Sequence, residues 1–467
     1  MSVKTATRTG HEWMDVALEL AARGEALASP NPMVGAVVVR DAEELARAFH
    51  TYDGVRHAEV LALEKAGPAA RDATLYTNLE PCSHRGRTGP CVEAILQAGV
   101  ARVVAAMPDP NPQVNGQGFD RLRAAGVEVL TGVREEEARR LNEAFACWVR
   151  TGRPLVTLKA GMTLDAKIAP PPSPEAPLAA ARGGPAGQAA AHRWITSEES
   201  RAQVQRLRHQ HDAVLTGIGT VLADDPLLTD RSGRPRRRPL LRVVLDAGLR
   251  LPLDSQLVRT AKDDLLVFCG EDIWMGKRAK LEERGIEVIE LKESAGRISL
   301  VAVLQKLARR QITSVMLEAG TRLCTYALAT ACVDKVWLFY APYFLGEEAV
   351  PFVASSGSES SLPALSERSR SVAKVLSLPK GGDPELVEGS VVEGSAAEGS
   401  RSPKPELVPS EVEGARSTSP GLSLLHYRLH RFGPLPAEVP TAGDQPVGTK
   451  AGDFALEGYL RDVYRNY

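Results

Sequence analysis

His57 and Glu59 stand two apart in His57-Ala58-Glu59, and two Pro-Cys pairs, Pro81-Cys82 and Pro90-Cys91, follow downstream. One histidine and two cysteines are the soft and borderline ligands that Zn²⁺ prefers. Three protein ligands rather than four leave a position for water, as catalytic zinc sites do. Cys91 falls where a helix is expected to begin, and backbone N–H groups there favour thiolate and lower the proton cost of metal binding. Glu59 is then placed to take a proton from that water and hand it to a leaving amine. Neither His84 nor His50 lies at a spacing that completes a closed structural site. The pattern H-x-E followed by P-C-x-x-C marks zinc nucleobase deaminases. Here eight residues, Ser83 to Pro90, separate the cysteines, so the ligand set survives while the spacing does not. The competing reading is that these are unrelated packing residues.

A second group of residues lies far downstream. Ser314 to Leu323 (SVMLEAGTRL) reads as a strand, a glycine turn and a helix start, where free N–H groups and the helix dipole can hold a phosphate close to Gly320. On these residues alone a plain strand-to-helix turn is the better reading. Thr216-Gly217-Ile218-Gly219-Thr220-Val221 has Gly-x-Gly without the third glycine of a dinucleotide fingerprint. The basic run Arg234-Pro235-Arg236-Arg237-Arg238-Pro239 reads as a solvated loop in preference to a seat for a nucleotide 2′-phosphate.

The elements that must position these groups alternate. Helical spacing over Trp13 to Arg23 stops at Gly24, and Val34 to Val39 is a buried β-branched run. Helices over His57 to Ala66, Cys91 to Ala98, Phe119 to Ala125 and Glu135 to Val149 interleave with strands Thr74 to Thr77, Ala101 to Ala106 and Val127 to Leu130. That is one α/β layered domain, ending near Thr151-Gly152-Arg153-Pro154. Strands Leu155 to Lys159, Ala213 to Leu215, Arg242 to Asp246, Asp264 to Phe268, Ser314 to Glu318 and Lys335 to Tyr340, with helices Glu198 to His211, Leu300 to Arg310 and Thr321 to Ala329, form a second. Leu422 to Leu429 and Phe454 to Leu460 are expected to close it as a strand pair. Two stretches, 170–191 and about 355–420, are low-complexity insertions too poor in apolar residues to offset their ordering entropy.

Composition narrows the function classes. Lys+Arg 57 against Asp+Glu 58 leaves a net charge of -1, so no global basic field draws the chain to nucleic acid or anionic membrane. Six cysteines are too sparse for a disulfide framework and fit a reducing cytoplasm. The apolar runs are too short to span a bilayer. The 467 residues contain Gly 40 and Pro 32, an excess that the insertions partly explain, and without them two domains suffice.

On particular motifs the chain resembles the bifunctional riboflavin-biosynthesis deaminase/reductase family. They are Ser29-Pro30-Asn31-Pro32-Met33-Val34-Gly35, His57-Ala58-Glu59-Val60, Thr77 to Cys91 and Asp109-Pro110-Asn111-Pro112. The long loop between the cysteines is normal in that family. The likeness continues through Leu158 to Ala169, Trp194 to Ser197, Gly219 to Thr229 and Leu317 to Gly320. It implies a cytidine-deaminase-like three-layer domain over 1–150 and a dihydrofolate-reductase-like, NADPH-using domain over 154–467. It further implies zinc on His57, Cys82 and Cys91, Glu59 as proton shuttle, and Asn31 and His50 beside the pyrimidine. In the second domain Gly161, Trp194, Thr220, Asp224 and Gly320, Thr321, Arg322 and Leu323 would line the dinucleotide. Leu228, Arg231, Glu318 and His192 would face a sugar phosphate. The chain departs from the family's usual residues in Ala46 to Phe49, Ala166, His192 and Ala247.

The expected substrate is thus a small pyrimidine ribosylamine phosphate, with no nucleic acid or membrane partner and self-association into a homo-oligomer left open. Two alternatives stand: a nucleic-acid base deaminase of the tRNA-editing type, and a deaminase whose C-terminal half is a non-catalytic scaffold.

Overall fold

A computed structural model of the chain describes residues 8–171, 194–294, 296–354, 427–431 and 453–464. Most of the stretches read as insertions, 172–191 and 355–420, lie outside the described residues, as do His192 and residues 422–426 of the expected closing pair.

The first sheet has five strands, β1 (Gly35–Arg40), β2 (Glu43–Phe49), β3 (Thr74–Thr77), β4 (Arg102–Ala105) and β5 (Glu128–Thr131), in the order β2-β1-β3-β4-β5. β2-β1-β3 run antiparallel, whereas β3-β4-β5 run parallel. Its helices are α1 (Gly10–Ala22), α2 (Ala58–Ala66), α3 (Cys91–Ala98), α4 (Gln117–Ala124), α5 (Glu135–Leu141) and α6 (Glu143–Thr151). α1 starts on a capping box, with Thr9 and Glu12 each satisfying the other's backbone N–H. It lies so close on β1 that a Cβ at Gly35 would sit 2.1 Å from the Ala17 carbonyl oxygen. One apolar cluster, from Trp13 and Met14 through Val37, Leu75 and Ile95 to Leu122, fills the layers.

Two differences from the sequence reading have clear causes. β2, Glu-Glu-Leu-Ala-Arg-Ala-Phe, has weak strand propensity and was not expected. It exists because β1 offers an edge and because Ala46 and Ala48 bury their small side chains. The helix expected over Glu135 to Val149 breaks at Asn142, whose side-chain amide accepts from Met33 N–H and donates to Met33 C=O. Held there, Asn142 leaves helical geometry (φ -108°) and fixes the segment that leads into β1.

The second sheet begins with β6 (Leu155–Thr163), followed by the short β7 (Lys167–Ala169). The chain then runs through α7 (Glu198–Gln210), β8 (Ala213–Gly217), α8 (Ile218–Asp224), β9 (Leu241–Leu245), α9 (Gln256–Arg259), β10 (Leu265–Cys269), α10 (Met275–Glu282) and β11 (Glu287–Glu290). After the small hairpin β12 (Glu293–Ser294) and β13 (Arg297–Ile298) come α11 (Leu300–Arg309), β14 (Ser314–Glu318), α12 (Thr321–Ala329), β15 (Lys335–Ala341), β16 (Val350–Pro351), β17 (Tyr427–Arg431) and β18 (Phe454–Tyr459). Nine strands order as β11-β10-β9-β8-β14-β6-β15-β18-β17. Those from β11 to β15 are parallel, and β18 and β17 add antiparallel at the edge. The closing strand pair is therefore present. Ala166, in the turn between β6 and β7, has φ +55°, the left-handed conformation that glycine adopts without strain.

The two α/β units meet at a buried charge cluster, in which Lys335–Glu143 is the pair that crosses between them. Lys335 Nζ lies 2.8 Å from Glu143 of α6 and 2.7 Å from Glu457 of β18, while the Tyr459 hydroxyl donates to Glu143. Burial alone would discharge Lys335, but the two carboxylates outweigh it and keep the ammonium charged. Lys335→Met should therefore cost about 3–5 kcal/mol by leaving two buried carboxylates uncompensated. Urea denaturation at pH 7 measures this, and a loss below about 1 kcal/mol would contradict it. The run 234–239 is a loop, as expected, and is solvated at Arg234, Pro235 and Pro239, but Arg236, Arg237 and Arg238 are half-buried. Arg236 donates to the carbonyls of Arg208, His209 and His211 at the end of α7 and pairs with Asp230, satisfying acceptors a helix terminus leaves open.

Candidate active sites

In the first unit, His57 is the N-cap of α2 and Cys91 the first residue of α3, so two helix starts converge. Cys82 arrives on the loop after β3. That loop is anchored by the neighbouring Glu80, whose carboxylate accepts from the backbone N–H groups of Asp109, Gly116 and Gly118. Gly118 is required here, since a Cβ would fall 2.1 Å from the Pro81 carbonyl oxygen. The result brings His57 Nδ1 to 3.1 Å from Cys91 Sγ and 3.4 Å from Cys82 Sγ, and the three donor atoms lie within 4.8 Å of one another. Cys91 N–H also donates to Cys82 Sγ.

The electrostatics suit a cation. The hydrogen bond with Cys91 and the adjacent imidazole hold the Cys82 thiol at about 4, against its burial. The hydrogen bond to Cys82 raises His57 to about 9. Cys91, buried beside its partner sulfur, is pushed well above the usual thiol range. The three donors thus share protons that a metal ion would displace. Glu59 is buried, which raises its carboxyl, and its Oε2 has no hydrogen-bond partner among the described residues. A buried carboxylate oxygen without a partner, next to two sulfurs and an imidazole, fits a zinc site with a proton carrier.

His50 is not a fourth ligand. It is buried, its ring lies 5.4 Å from that of His57, and both nitrogens are engaged, Nδ1 with the Arg56 carbonyl and Nε2 with Asn31 Nδ2. Nδ1 therefore carries the proton and Nε2 accepts from the Asn31 amide, which leaves the Asn31 carbonyl oxygen for a ligand. Burial keeps His50 neutral by lowering its pKa.

In the second unit, β8, β14 and β6 are adjacent and parallel, so their carboxyl ends open on one side, where ligands of such sheets bind. Gly161 near the end of β6 approaches Thr196, Gly217 at the end of β8 approaches Leu323, and Gly320 caps α12 with its N–H on Thr220 Oγ1 at 3.2 Å. Thr216 Oγ1, buried near the end of β8, has no hydrogen-bond partner among the described residues. Trp194 is 59% exposed under Arg201. Asp224 ends α8; Thr321 donates to the Pro351 carbonyl, and Arg322 is exposed.

Glu318, at the end of β14, is gripped by Arg208 through both oxygens (2.6 and 3.1 Å), with Lys159 Nζ at 3.6 Å. Burial would raise its carboxyl, yet Arg208 and Lys159 hold it at about 2. Burial in turn lowers Lys159 against the pull of Glu318. Sequence reading missed Lys159 and Arg208 as site residues. The available signal was one lysine inside the apolar run Leu155 to Met162; nothing in α7 distinguished Arg208 from its other arginines. Leu228 spends its side chain on the core and has φ +52°, so its backbone is the part able to face a ligand, and Arg231 is exposed. His192 lies outside the described residues, and Ala247 packs at the edge of a core cluster.

Comparison with known proteins matches residues 7–107 to the cytidine and deoxycytidylate deaminase zinc-binding region and residues 154–373 to the RibD C-terminal domain. The riboflavin biosynthesis protein RibD of Aquifex aeolicus is 40% identical over 335 residues, covering 72% of this chain and 87% of that protein. The chain belongs to the RibD family. Escherichia coli RibD is 38% identical, covering 72% of this chain and 89% of its own. The solved structure of Acinetobacter baumannii RibD is 37% identical with a TM-score of 0.63, covering 75% of this chain and 91% of that one. A Thermotoga maritima structure described as a diaminohydroxyphosphoribosylaminopyrimidine deaminase/5-amino-6-(5-phosphoribosylamino)uracil reductase is 35% identical with a TM-score of 0.60, covering 76% and 92%. As a RibD-family protein the chain is a bifunctional enzyme of riboflavin biosynthesis, with a zinc-dependent deaminase domain and an NADPH-dependent reductase domain. Neither the tRNA-editing reading nor the scaffold reading is favoured. Among the described residues no helix is long and apolar enough to cross a membrane.

Proposed function

We propose that residues 1–150 hydrolytically deaminate 2,5-diamino-6-ribosylamino-4(3H)-pyrimidinone 5′-phosphate, and that residues 154–467 then reduce its ribosyl group to a ribityl chain in the cytoplasm. The observation that carries the first half is the convergence of His57, Cys82 and Cys91 beside the unpartnered Oε2 of buried Glu59. His57, Cys82 and Cys91 would hold zinc, which would supply Lewis acidity to activate water. Glu59 takes a proton from the attacking water at Oε2 and delivers it to the departing amine nitrogen, leaving as ammonia. Asn31, oriented by neutral His50, holds the pyrimidine edge through its carbonyl oxygen.

In the second half, bound NADPH would be the source of hydride for the ribose C1′. Gly161, Thr220 and the α12 start from Gly320 to Leu323 seat the dinucleotide, with Trp194 and Asp224 at its border. Lys159 Nζ, kept in place by Glu318, provides the proton that balances hydride addition. Arg231 takes the sugar phosphate as a planar bidentate donor, with the Leu228 backbone and His192 beside it.

One assay tests both halves. Zinc-loaded protein given this substrate should release one ammonia per turnover and then oxidise NADPH in equal amount. Absence of ammonia release would overturn the first half, and ammonia without NADPH oxidation the second.

A further inference from the structure

We propose that Arg237, which belongs to the reductase half, is a positioning residue for the deaminase reaction. Two segments of the first unit carry the pyrimidine wall: Ala26 to Asn31, and His50 to Arg56. They are tied to each other by Asn31 Nδ2 to His50 Nε2 at 2.9 Å and by Tyr52 N–H to the Leu27 carbonyl at 3.0 Å. Arg237 grips both from the other half of the chain. Its backbone N–H donates to the Ala26 carbonyl (3.0 Å), and its guanidinium donates to the Ser29 carbonyl (3.2 Å) and to Asp53 Oδ1 (3.1 Å).

The same guanidinium lies 3.8 Å over the ring of Tyr52. On that ring Arg87 also stacks, at 4.1 Å, and donates to the Tyr52 carbonyl at 3.0 Å. Arg87 belongs to the loop between Cys82 and Cys91, so the stack Arg237, Tyr52, Arg87 joins the reductase half to the loop that carries the metal donors. Next to it, Arg238 donates to Ser29 Oγ at 3.1 Å, and Ser29 Oγ donates to Asp212 Oδ2 at 2.8 Å. Asp212 is buried and fixed by Thr313, whose N–H and hydroxyl both donate to it at 2.8 Å. The wall of the pyrimidine site is thus clamped to a rigid point at the base of β8 and β14.

The physical reason for such an arrangement is that Asn31 lies in a bend, while His50 stands just past the end of β2 with its N–H on the Val34 carbonyl at 2.8 Å and the chain leaves the sheet after it. A segment held only by its own backbone samples positions beyond the few tenths of an ångström that substrate orientation tolerates. Asn31 has few backbone restraints of its own, and His50 is oriented by Arg56 and Asn31, both in the gripped segments. Arg237 touches neither substrate nor metal donors; it acts through Ser29, Tyr52 and Asp53. Arginine is suited to the task because one planar group stacks and donates in two directions at once, which lysine does not reproduce.

The inference rests on the deaminase reading, which ammonia release by the wild-type chain tests separately; the variants are scored against that rate. In the full-length, zinc-loaded protein, Arg237→Ala should lower kcat/KM for ammonia release at least tenfold, carried mainly by KM. Zinc content and the rate of NADPH oxidation with the deaminated intermediate should stay within twofold. Arg237→Lys should recover only part of the loss. Tyr52→Ala, which alters no reductase residue, should reproduce the deaminase loss and serves if Arg237→Ala does not fold. Arg234→Ala removes only the exposed pair with Glu25 at the same junction and should leave both activities unchanged. Deaminase constants within twofold of wild type in Arg237→Ala or Tyr52→Ala would overturn the proposal, as would a parallel fall in both activities.

Discussion

Glu59→Gln should reduce ammonia release by about 10²–10⁴-fold, the usual contribution of a positioned proton carrier, while zinc stays at about one per chain. The substitution is isosteric and removes a charge from a buried position, so the His57, Cys82 and Cys91 donors keep their geometry. The side chain stands at the start of α2, two residues from His57, and its Oε2 is buried with no partner among the described residues. Burial disfavours the carboxylate there, and the amide loses no folded-state partner at that oxygen. Stability should therefore hold or rise. Metal analysis, ammonia release and NADPH oxidation with the deaminated intermediate separate the effects. A variant with full zinc and full deaminase activity would remove Glu59 from the mechanism; a variant that loses zinc would make it a structural support instead.

Glu318→Gln is expected to damage the reductase half twice over. The carboxylate neutralises Arg208 and Lys159 in a buried setting, and removing one partner of such a cluster costs about 3–5 kcal/mol. Linkage gives the same order. The folded carboxyl is held at about 2 against an ordinary value of 4.5, a difference corresponding to about 3 kcal/mol at neutral pH. Because the folded value is depressed, that stability is fully present above about 4.5 and fades as pH falls toward 2. The gap between wild type and variant in urea denaturation should be about 3 kcal/mol at pH 7 and begin to narrow below pH 4.5. NADPH oxidation should fall at least a hundredfold, since Lys159 loses the group that holds its amine in place, while ammonia release is unaffected. A pH-independent gap would mean that charge neutralisation is not what Glu318 contributes.

Residues close in sequence or carried by strong local motifs were the ones legible without coordinates. His57, Glu59, Cys82 and Cys91 stand out because metal chemistry needs particular atoms, and few other residue types supply them. The continuous apolar runs of β1, β9 and β10 announce themselves because both faces of these strands are buried, and the helical spacing of α1 and α11 because burial on one face imposes a period on the chain. β2 did not, since alanine, arginine and glutamate carry no strand signal and its pairing with β1 is a tertiary event. Asn142 looked like any polar residue in a helix, and its grip on Met33, more than a hundred positions away, is what breaks the helix.

The arginine run from Arg234 to Arg238 marks the same boundary most clearly. Clustered charge is ordinarily solvated, and by composition alone this run reads so. Folding instead sets Arg236 on the carbonyls ending α7 and sends Arg237 and Arg238 across to Ala26, Ser29 and Asp53. Donor types and hydrophobic period determined a zinc-type site in one α/β domain followed by a second α/β domain, because they are properties of the residues themselves, and the motif resemblance implied the deaminase and reductase activities. Only the tertiary structure decided that Lys159 and Arg208 share Glu318 and that Arg237 and Arg238 of the second unit grip Ala26, Ser29 and Asp53 of the first. Those partners are brought together by strand order and domain contact, which no local pattern encodes.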